Sequence, residues 1–62
     1  MNQTKRLVVC RDNTDYPVSL LLGGIYVNIP DPCIENDGCL RVIDESGEAY
    51  IYTRDRFDFL DI

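Results

Sequence analysis

The side chains best suited to chemistry in this chain are its cysteines and a cluster of acids around one predicted turn. Asp44, Glu45 and Glu48 surround that turn. Paired carboxylates act as acid and base when one of them is desolvated, but the tip of a hairpin is exposed to water. Histidine, the commonest general base and metal ligand, is absent. The sequence therefore predicts a protein that is not an enzyme and has no catalytic residues.

The three cysteines, Cys10, Cys33 and Cys39, are interpreted as free thiols, because an odd number of cysteines in a cytoplasmic chain makes free thiols the default. Structural zinc normally takes four Cys or His ligands, so a zinc site here would need help from Glu35 or Asp37. A Cys33–Cys39 redox pair and a thiol- or metal-binding protein are kept as alternatives. The prediction is no metal and no cofactor.

Composition indicates one small acidic domain. The chain has 62 residues, with eleven Asp and Glu against six Lys and Arg, and residues 31–62 carry nine of the acids. A chain of this size buries only about 60% of its unfolded surface, so we expect a small core and low stability. An acidic surface repels phosphate backbones, which disfavours nucleic-acid binding. A nucleic-acid-associated barrel, or an acidic mimic of nucleic acid, is the alternative from another functional class.

The sequence shows no pattern typical of secretion or membrane insertion. No aliphatic run is longer than that of Leu20-Leu21-Leu22, which is far below the ~20 residues that span a bilayer. We therefore expect a cytoplasmic protein without membrane contact, and a monomer. Residues 1–4 are expected to form a disordered tail.

Five short strands are predicted from alternation and turn chemistry. They cover residues 5–11, 25–29, 39–43, 48–53 and 57–62, with polar loops at 12–19 and 33–38. Val8 and Cys10 are predicted to face the core, since a buried cysteine behaves as a small hydrophobe. The side on which Tyr26 lies is left open. Residues 44–47 are predicted to form a hairpin turn, because Gly47 can adopt a left-handed conformation.

The fourth strand determines the predicted contact face. Alternation along it is taken to place Ala49 and Ile51 inward and Tyr50 and Tyr52 outward. One helical turn is predicted after it, with Thr53 as the cap.

The order of these elements resembles the SH3-like barrel over residues 5–62. Gly23-Gly24-Ile25-Tyr26-Val27 resembles the glycine-led entry to the second SH3 strand, and Glu48-Ala49-Tyr50-Ile51-Tyr52 resembles the segment where SH3 domains carry small-Tyr-Ile-Pro. The pattern is also similar to that of a set of small bacterial proteins of unknown function. The resemblance implies an all-β domain over residues 5–62: a small five-stranded SH3-like barrel with one short 3-10 turn before the last strand.

The departures from SH3 domains limit what the resemblance implies about ligands. Domains that bind proline-rich segments line their groove with aromatic side chains. Here the first strand ends Val9-Cys10-Arg11, and Cys39 or Leu40 holds the position of the family's tryptophan. Binding of proline-rich peptides is therefore disfavoured.

The predicted function is docking on a protein partner by a small binding module. An exposed aromatic and aliphatic patch rimmed by charge is typical of a contact site. The alternative is that the tyrosine rings cover the barrel and form hydrogen bonds through their hydroxyls. The predicted contact residues are Ile43, Tyr50, Tyr52, Arg54 and Arg56.

Overall fold

The computed structural model describes residues 5–60, which form a five-stranded antiparallel sheet curled into a half-barrel. The elements in chain order are β1 (Arg6–Cys10), β2 (Ile25–Ile29), α1 (Pro32–Asn36), β3 (Cys39–Ile43), β4 (Ala49–Thr53), a 3-10 turn (Arg54–Arg56) and β5 (Phe57–Phe59). The strands lie in the order β4-β3-β2-β1-β5. The predicted all-β class and the 3-10 turn before the last strand are confirmed. The predicted tail at residues 1–4 and the predicted strand end at 61–62 lie outside the described residues.

The concave face of the sheet carries the core. Val8 and Tyr26 lie opposite each other on β1 and β2, and Leu40 lies opposite Tyr52 on β3 and β4. Leu20, from the loop between β1 and β2, closes the core and is fully buried. The buried hydrophobic residues are Val8, Cys10, Leu20, Tyr26, Leu40, Val42, Tyr52 and Phe57. The prediction that Val8 and Cys10 face inward is confirmed.

The hairpin turn at residues 44–47 is also confirmed. Gly47 N–H donates to the Asp44 carbonyl at 2.9 Å, and Gly47 has a φ of +83°. Because that backbone conformation suits glycine best, the turn fixes where β3 ends and β4 begins.

The loop predicted at residues 33–38 is wrong in its first half, where the short helix α1 forms. Pro32 occupies the first turn, where its missing N–H costs nothing. Glu35 N–H donates to the Asp31 carbonyl, and the Glu35 carboxylate accepts from Asp31 N–H, each at 3.0 Å. Asp-Pro followed by Glu is therefore a helix start rather than a turn.

The predicted orientation of β4 is wrong. Tyr52 is 5% exposed and faces the core, whereas Ile51 is 50% exposed on the convex face. Directly opposite residues of antiparallel strands share a face, and Tyr52 lies opposite the buried Leu40. Ala49 and Ile51 therefore point away from the core, and Tyr50 lies on the concave side.

Thr53 stands at the predicted N-cap position of the 3-10 turn, but the prediction that its side chain caps the turn is wrong. Thr53 precedes the 3-10 turn with φ −69° and ψ 144°, but its side chain makes no capping hydrogen bond. At the C-terminal end of the turn, Phe57 N–H donates to the Arg54 carbonyl.

Candidate functional site

A groove lies beside β4, between this strand, the loop of residues 12–19 and the hairpin turn. Its volume is about 340 Å³. The polar part of its lining is Ser19, Asp44 and Ser46, and the aromatic and aliphatic part is Tyr16, Tyr50, Ile51 and Tyr52. Mostly apolar walls with a few polar groups suit an aromatic or aliphatic side chain of a ligand.

Asp44 is a buried acidic residue that lines this groove and accepts hydrogen bonds there. It is 5% exposed, and its carboxylate accepts hydrogen bonds from the Tyr52 hydroxyl at 2.6 Å and from Ser46 N–H at 2.9 Å. Burial alone would raise the pKa of Asp44, but the hydrogen bonds from Ser46 and Tyr52 outweigh it and lower that pKa. Burial, and next the bond to Asp44, raises the pKa of Tyr52 to about 12. At neutral pH the pair is therefore a fixed structural contact rather than an acid–base couple.

Tyr16 forms the far wall of the groove and is held in place by Arg56. The Tyr16 ring meets the Tyr52 ring edge to face, with centroids 5.1 Å apart. The Arg56 guanidinium lies 4.8 Å from the Tyr16 ring centroid and donates to the Thr14 carbonyl at 2.6 Å. Arg56 therefore braces the 12–19 loop against the 3-10 turn.

Tyr26 and Glu45 tie the other end of the loop to the hairpin turn. Glu45 N–H donates to the Ser19 carbonyl at 2.9 Å, and the Tyr26 hydroxyl donates to the Glu45 carboxylate at 2.6 Å. The same hydroxyl accepts from Leu21 N–H at 2.8 Å. Burial, followed by the bond to Glu45, raises the pKa of Tyr26. These contacts hold the groove open between two otherwise separate loops.

The structure separates the five predicted contact residues. Tyr50 is 51% exposed in the groove, but Tyr52 is buried beneath it. Ile43 lies on the opposite, convex face, where it pairs with Ala49. Arg54 is exposed near the end of β4 and donates to a carbonyl of α1 at 3.4 Å. Tyr50 and Tyr52 line the groove and Arg56 contacts its Tyr16 wall, whereas Ile43 and Arg54 are not part of the lining.

The outer edge of β4 is open with respect to the strands of residues 5–60. In the described part of the chain, β3 is its only neighbouring strand. Directly after β4, Arg54 N–H donates to the Gly38 carbonyl at 2.9 Å. Because hydrogen-bonded pairs alternate along antiparallel strands, the even-numbered residues of β4 turn their backbone N–H and C=O groups toward β3. The backbone N–H and C=O groups that point away from the sheet belong to Ala49, Ile51 and Thr53. Natural edge strands usually carry charges, proline or bulges that prevent pairing, and Ala-Tyr-Ile-Tyr-Thr has no charge and no proline.

The convex face of the sheet is unusually aliphatic. On β2 the inward positions hold Tyr26 and Asn28, whereas the aliphatic side chains point outward. One row of outward residues crosses four strands in register: Leu7, Val27, Ile43 and Ala49. A sheet with one solvated face normally alternates apolar inward and polar outward, so this face is a second candidate contact surface.

The cysteines are free thiols with different surroundings. Cys10 is buried in the core, Cys39 is half-buried and Cys33 is exposed. Burial raises the pKa of Cys10, which makes its thiol less reactive. Among residues 5–60, no group of three or more Cys, Asp or Glu side chains is placed to hold a metal ion.

No family model, curated protein or solved structure matches this chain, so the functional proposal rests on the geometry above. Among the described residues, no helix is long and apolar enough to cross a membrane.

Sequence reasoning missed five residues of the groove, which are Tyr16, Ser19, Asp44, Ser46 and Ile51. Tyr16 and Asp44 belong to loops, and no local periodicity connects a loop residue to a strand 36 positions away, as Tyr16 is from Tyr52. Ile51 was missed for another reason, because it was assigned to the core. The register of the β3–β4 hairpin could have corrected this, since Leu40 and Val42 lie opposite Tyr52 and Tyr50.

Proposed function

We propose that this chain is a non-enzymatic protein-docking module of SH3-like architecture that binds an extended segment of a protein along β4. The observation that carries the proposal is an uncharged edge strand with open backbone groups beside an aromatic groove. Strand addition supplies affinity through main-chain hydrogen bonds, and pockets for alternate side chains supply specificity.

The SH3-like assignment is supported by three features. Both the strand order β4-β3-β2-β1-β5 and the 3-10 turn between β4 and β5 agree with it. The long loop of residues 11–24 folds back over the core through Leu20, which is fully buried. The binding mode proposed here is not the family's proline-rich mode, because Tyr52 is occupied by its bond to Asp44.

The chemistry of the groove defines the segment it would bind. Tyr50 and Ile51 are each about half exposed and offer apolar contact on the two sides of the strand. Glu45 and Glu48 are exposed at the hairpin end, and the chain has a net charge of −5. The bound segment should therefore be extended, with aromatic or aliphatic side chains at alternate positions and a basic residue near Glu48.

A selection experiment tests this function. Random peptides of about seven residues, long enough to cover β4 and its flanks, are selected on the immobilised protein. The binders are then measured against Thr53→Pro and Ile25→Lys variants. Thr53→Pro removes an N–H at the open edge, and the Thr53 φ of −69° already suits proline. Ile25→Lys alters the convex face at a residue that is 59% exposed.

We expect the selected peptides to alternate apolar residues, to carry a basic residue, and to lose affinity for Thr53→Pro only. Peptides that lose affinity for Ile25→Lys but not for Thr53→Pro would indicate that the docking site is the convex face and not the β4 edge. A selection that enriches no sequence would contradict docking of an extended segment.

A further inference from the structure

The segment Glu48–Arg54 is nearly symmetric about Ile51. Tyr50 and Tyr52 flank Ile51, and the small residues Ala49 and Thr53 lie outside them. The acidic Glu48 and the basic Arg54 occupy the two ends. A strand with this pattern is complementary to an antiparallel copy of itself, as the interface of a two-fold symmetric dimer requires.

We propose that β4 of a second copy of this chain is a partner of the β4 edge, an inference that rests on the docking function proposed above. The two strands run antiparallel about a two-fold axis that passes between the two copies of Ile51. The two five-stranded sheets thereby join into one continuous sheet across the dimer.

The backbone of β4 supports this register. Ile51 turns its N–H and C=O to the open edge, so the two copies of Ile51 form a hydrogen-bonded pair. Ala49 of one copy lies opposite Thr53 of the other, and both of these residues also turn their backbone groups outward. The register uses every open group along β4, for about six main-chain hydrogen bonds across the interface.

The side chains agree with the same register on both faces. On the convex face Ile51 meets its own copy, which covers a side chain that is now 50% exposed. On the concave face Tyr50 lies opposite Tyr52 of the second copy. The Tyr50 ring is 51% exposed, and pairing places it against the Tyr16–Tyr52 aromatic cluster.

Charge complementarity selects this register. Glu48 lies opposite Arg54 of the second copy, and the symmetry repeats the pair at the other end of the interface. Both side chains are exposed, and their contacts within the chain are long, at 3.3 Å to Tyr50 and 3.4 Å to the Glu35 carbonyl. The two charge pairs oppose the general repulsion between chains of net charge −5.

The interface is short, so the dimer should be weak. Five residues of strand span about 17 Å, which indicates a contact below the size of standard stable interfaces. We expect the dissociation constant to lie between about 1 μM and 1 mM.

Sedimentation equilibrium of the purified protein tests the inference directly. Between about 10 μM and 1 mM, the average mass should rise from the 7.1 kDa of one chain toward twice that value. Thr53→Pro should raise the dissociation constant about thirtyfold, because the dimer loses one edge hydrogen bond from each copy. Ile25→Lys, on the convex face away from the edge, should leave the constant unchanged.

A charge exchange tests the register. Glu48→Lys alone places Lys opposite Arg54, and Arg54→Glu alone places Glu opposite Glu48, so each variant should be monomeric by itself. In a mixture of the two variants every facing pair is of opposite sign. The mixture should therefore form a heterodimer, which differently tagged chains detect by co-elution.

Other results would overturn the inference. A mass that stays at one chain up to about 1 mM rules out the dimer, and so does a dissociation constant that is unchanged in Thr53→Pro. A Glu48→Lys and Arg54→Glu mixture that stays monomeric while the unaltered chain dimerises rules out this register. If the chain is monomeric but selected peptides still bind in a Thr53-dependent manner, the docking function stands and the second copy is not its partner.

Discussion

The contact between Tyr52 and Asp44 can be tested by removing one atom. Tyr52→Phe deletes the hydroxyl that donates to the buried Asp44 carboxylate at 2.6 Å, and the ring stays in place between Tyr16 and Phe57. A hydrogen bond to a charged group contributes about 1.5–3 kcal/mol to stability. A chain of 62 residues has a free energy of unfolding of only about 3–9 kcal/mol. The variant should therefore lose a large fraction of its stability while keeping its fold.

Tyr50→Phe is the matched control, because Tyr50 lies two positions away on the same strand and its hydroxyl bonds an exposed Glu48 at 3.3 Å. Urea unfolding of both variants is followed by circular dichroism at pH 7. With a slope of about 1 kcal/mol per molar urea, the midpoint of Tyr52→Phe should fall by about 2 M. The midpoint of Tyr50→Phe should not change. Equal shifts in both variants, or no shift in Tyr52→Phe, would refute the buried contact.

The pH dependence of the same contact follows from the lowered pKa of Asp44. Its unfolded value is about 3.9, so the stabilisation is fully present above that pH and is lost as the pH falls through the lower folded pKa. The difference in the free energy of unfolding between the unaltered protein and Tyr52→Phe should therefore shrink as the pH falls below about 3.9. A difference that stays constant from pH 7 to pH 2 would contradict this explanation.

Three further predictions concern the core and the thiols. Because Tyr52 has a raised pKa of about 12, its stabilising effect should be present below pH about 10 and lost as the pH rises toward 12, which alkaline unfolding with a Tyr52→Phe control detects. Leu20→Ala should lower the free energy of unfolding by about 2–5 kcal/mol, whereas Ile51→Ala should change it by less than about 0.5 kcal/mol. Thermal melts in which Ile51→Ala is the more destabilising variant would indicate that Ile51 faces the core. Iodoacetamide should modify the exposed Cys33 rapidly and the buried Cys10 only on unfolding, and reducing agent should leave the melting temperature unchanged; a large drop would reveal a disulfide.

The elements of the fold were predictable because their signals are local. Gly47 marks a turn by itself, and the β-branched run around Val8 marks a strand by itself. The helix α1 was missed although its signal is also local, since Asp31, Pro32 and Glu35 supply the helix start. The turn-forming residues Asn36, Asp37 and Gly38 of the same segment favour a loop, and they lie at the C-terminal end of the helix and directly after it.

The inward faces of β2 and β4 were not predictable from alternation. Alternation groups residues into two faces but does not say which one is buried, and hydrophobicity favours the wrong face on both strands. Tyr26 and Tyr52 are inward because their hydroxyls find acceptors, Glu45 and Asp44, on the hairpin turn. Asn28 is inward because its amide donates to the Arg41 carbonyl at 2.9 Å. These partners come from neighbouring segments, which a strand pattern does not contain.

Amide hydrogen exchange along β4 is the most direct test of the central proposal, the docking of an extended segment at this edge. Tyr50 and Tyr52 turn their N–H groups toward β3, so their exchange should be slow with and without a bound peptide from the selection. The N–H groups of Ala49, Ile51 and Thr53 should exchange quickly in the free monomer and slow markedly when the peptide saturates the protein. Unchanged exchange at these three positions, with slowing instead along β2, would contradict docking at the β4 edge.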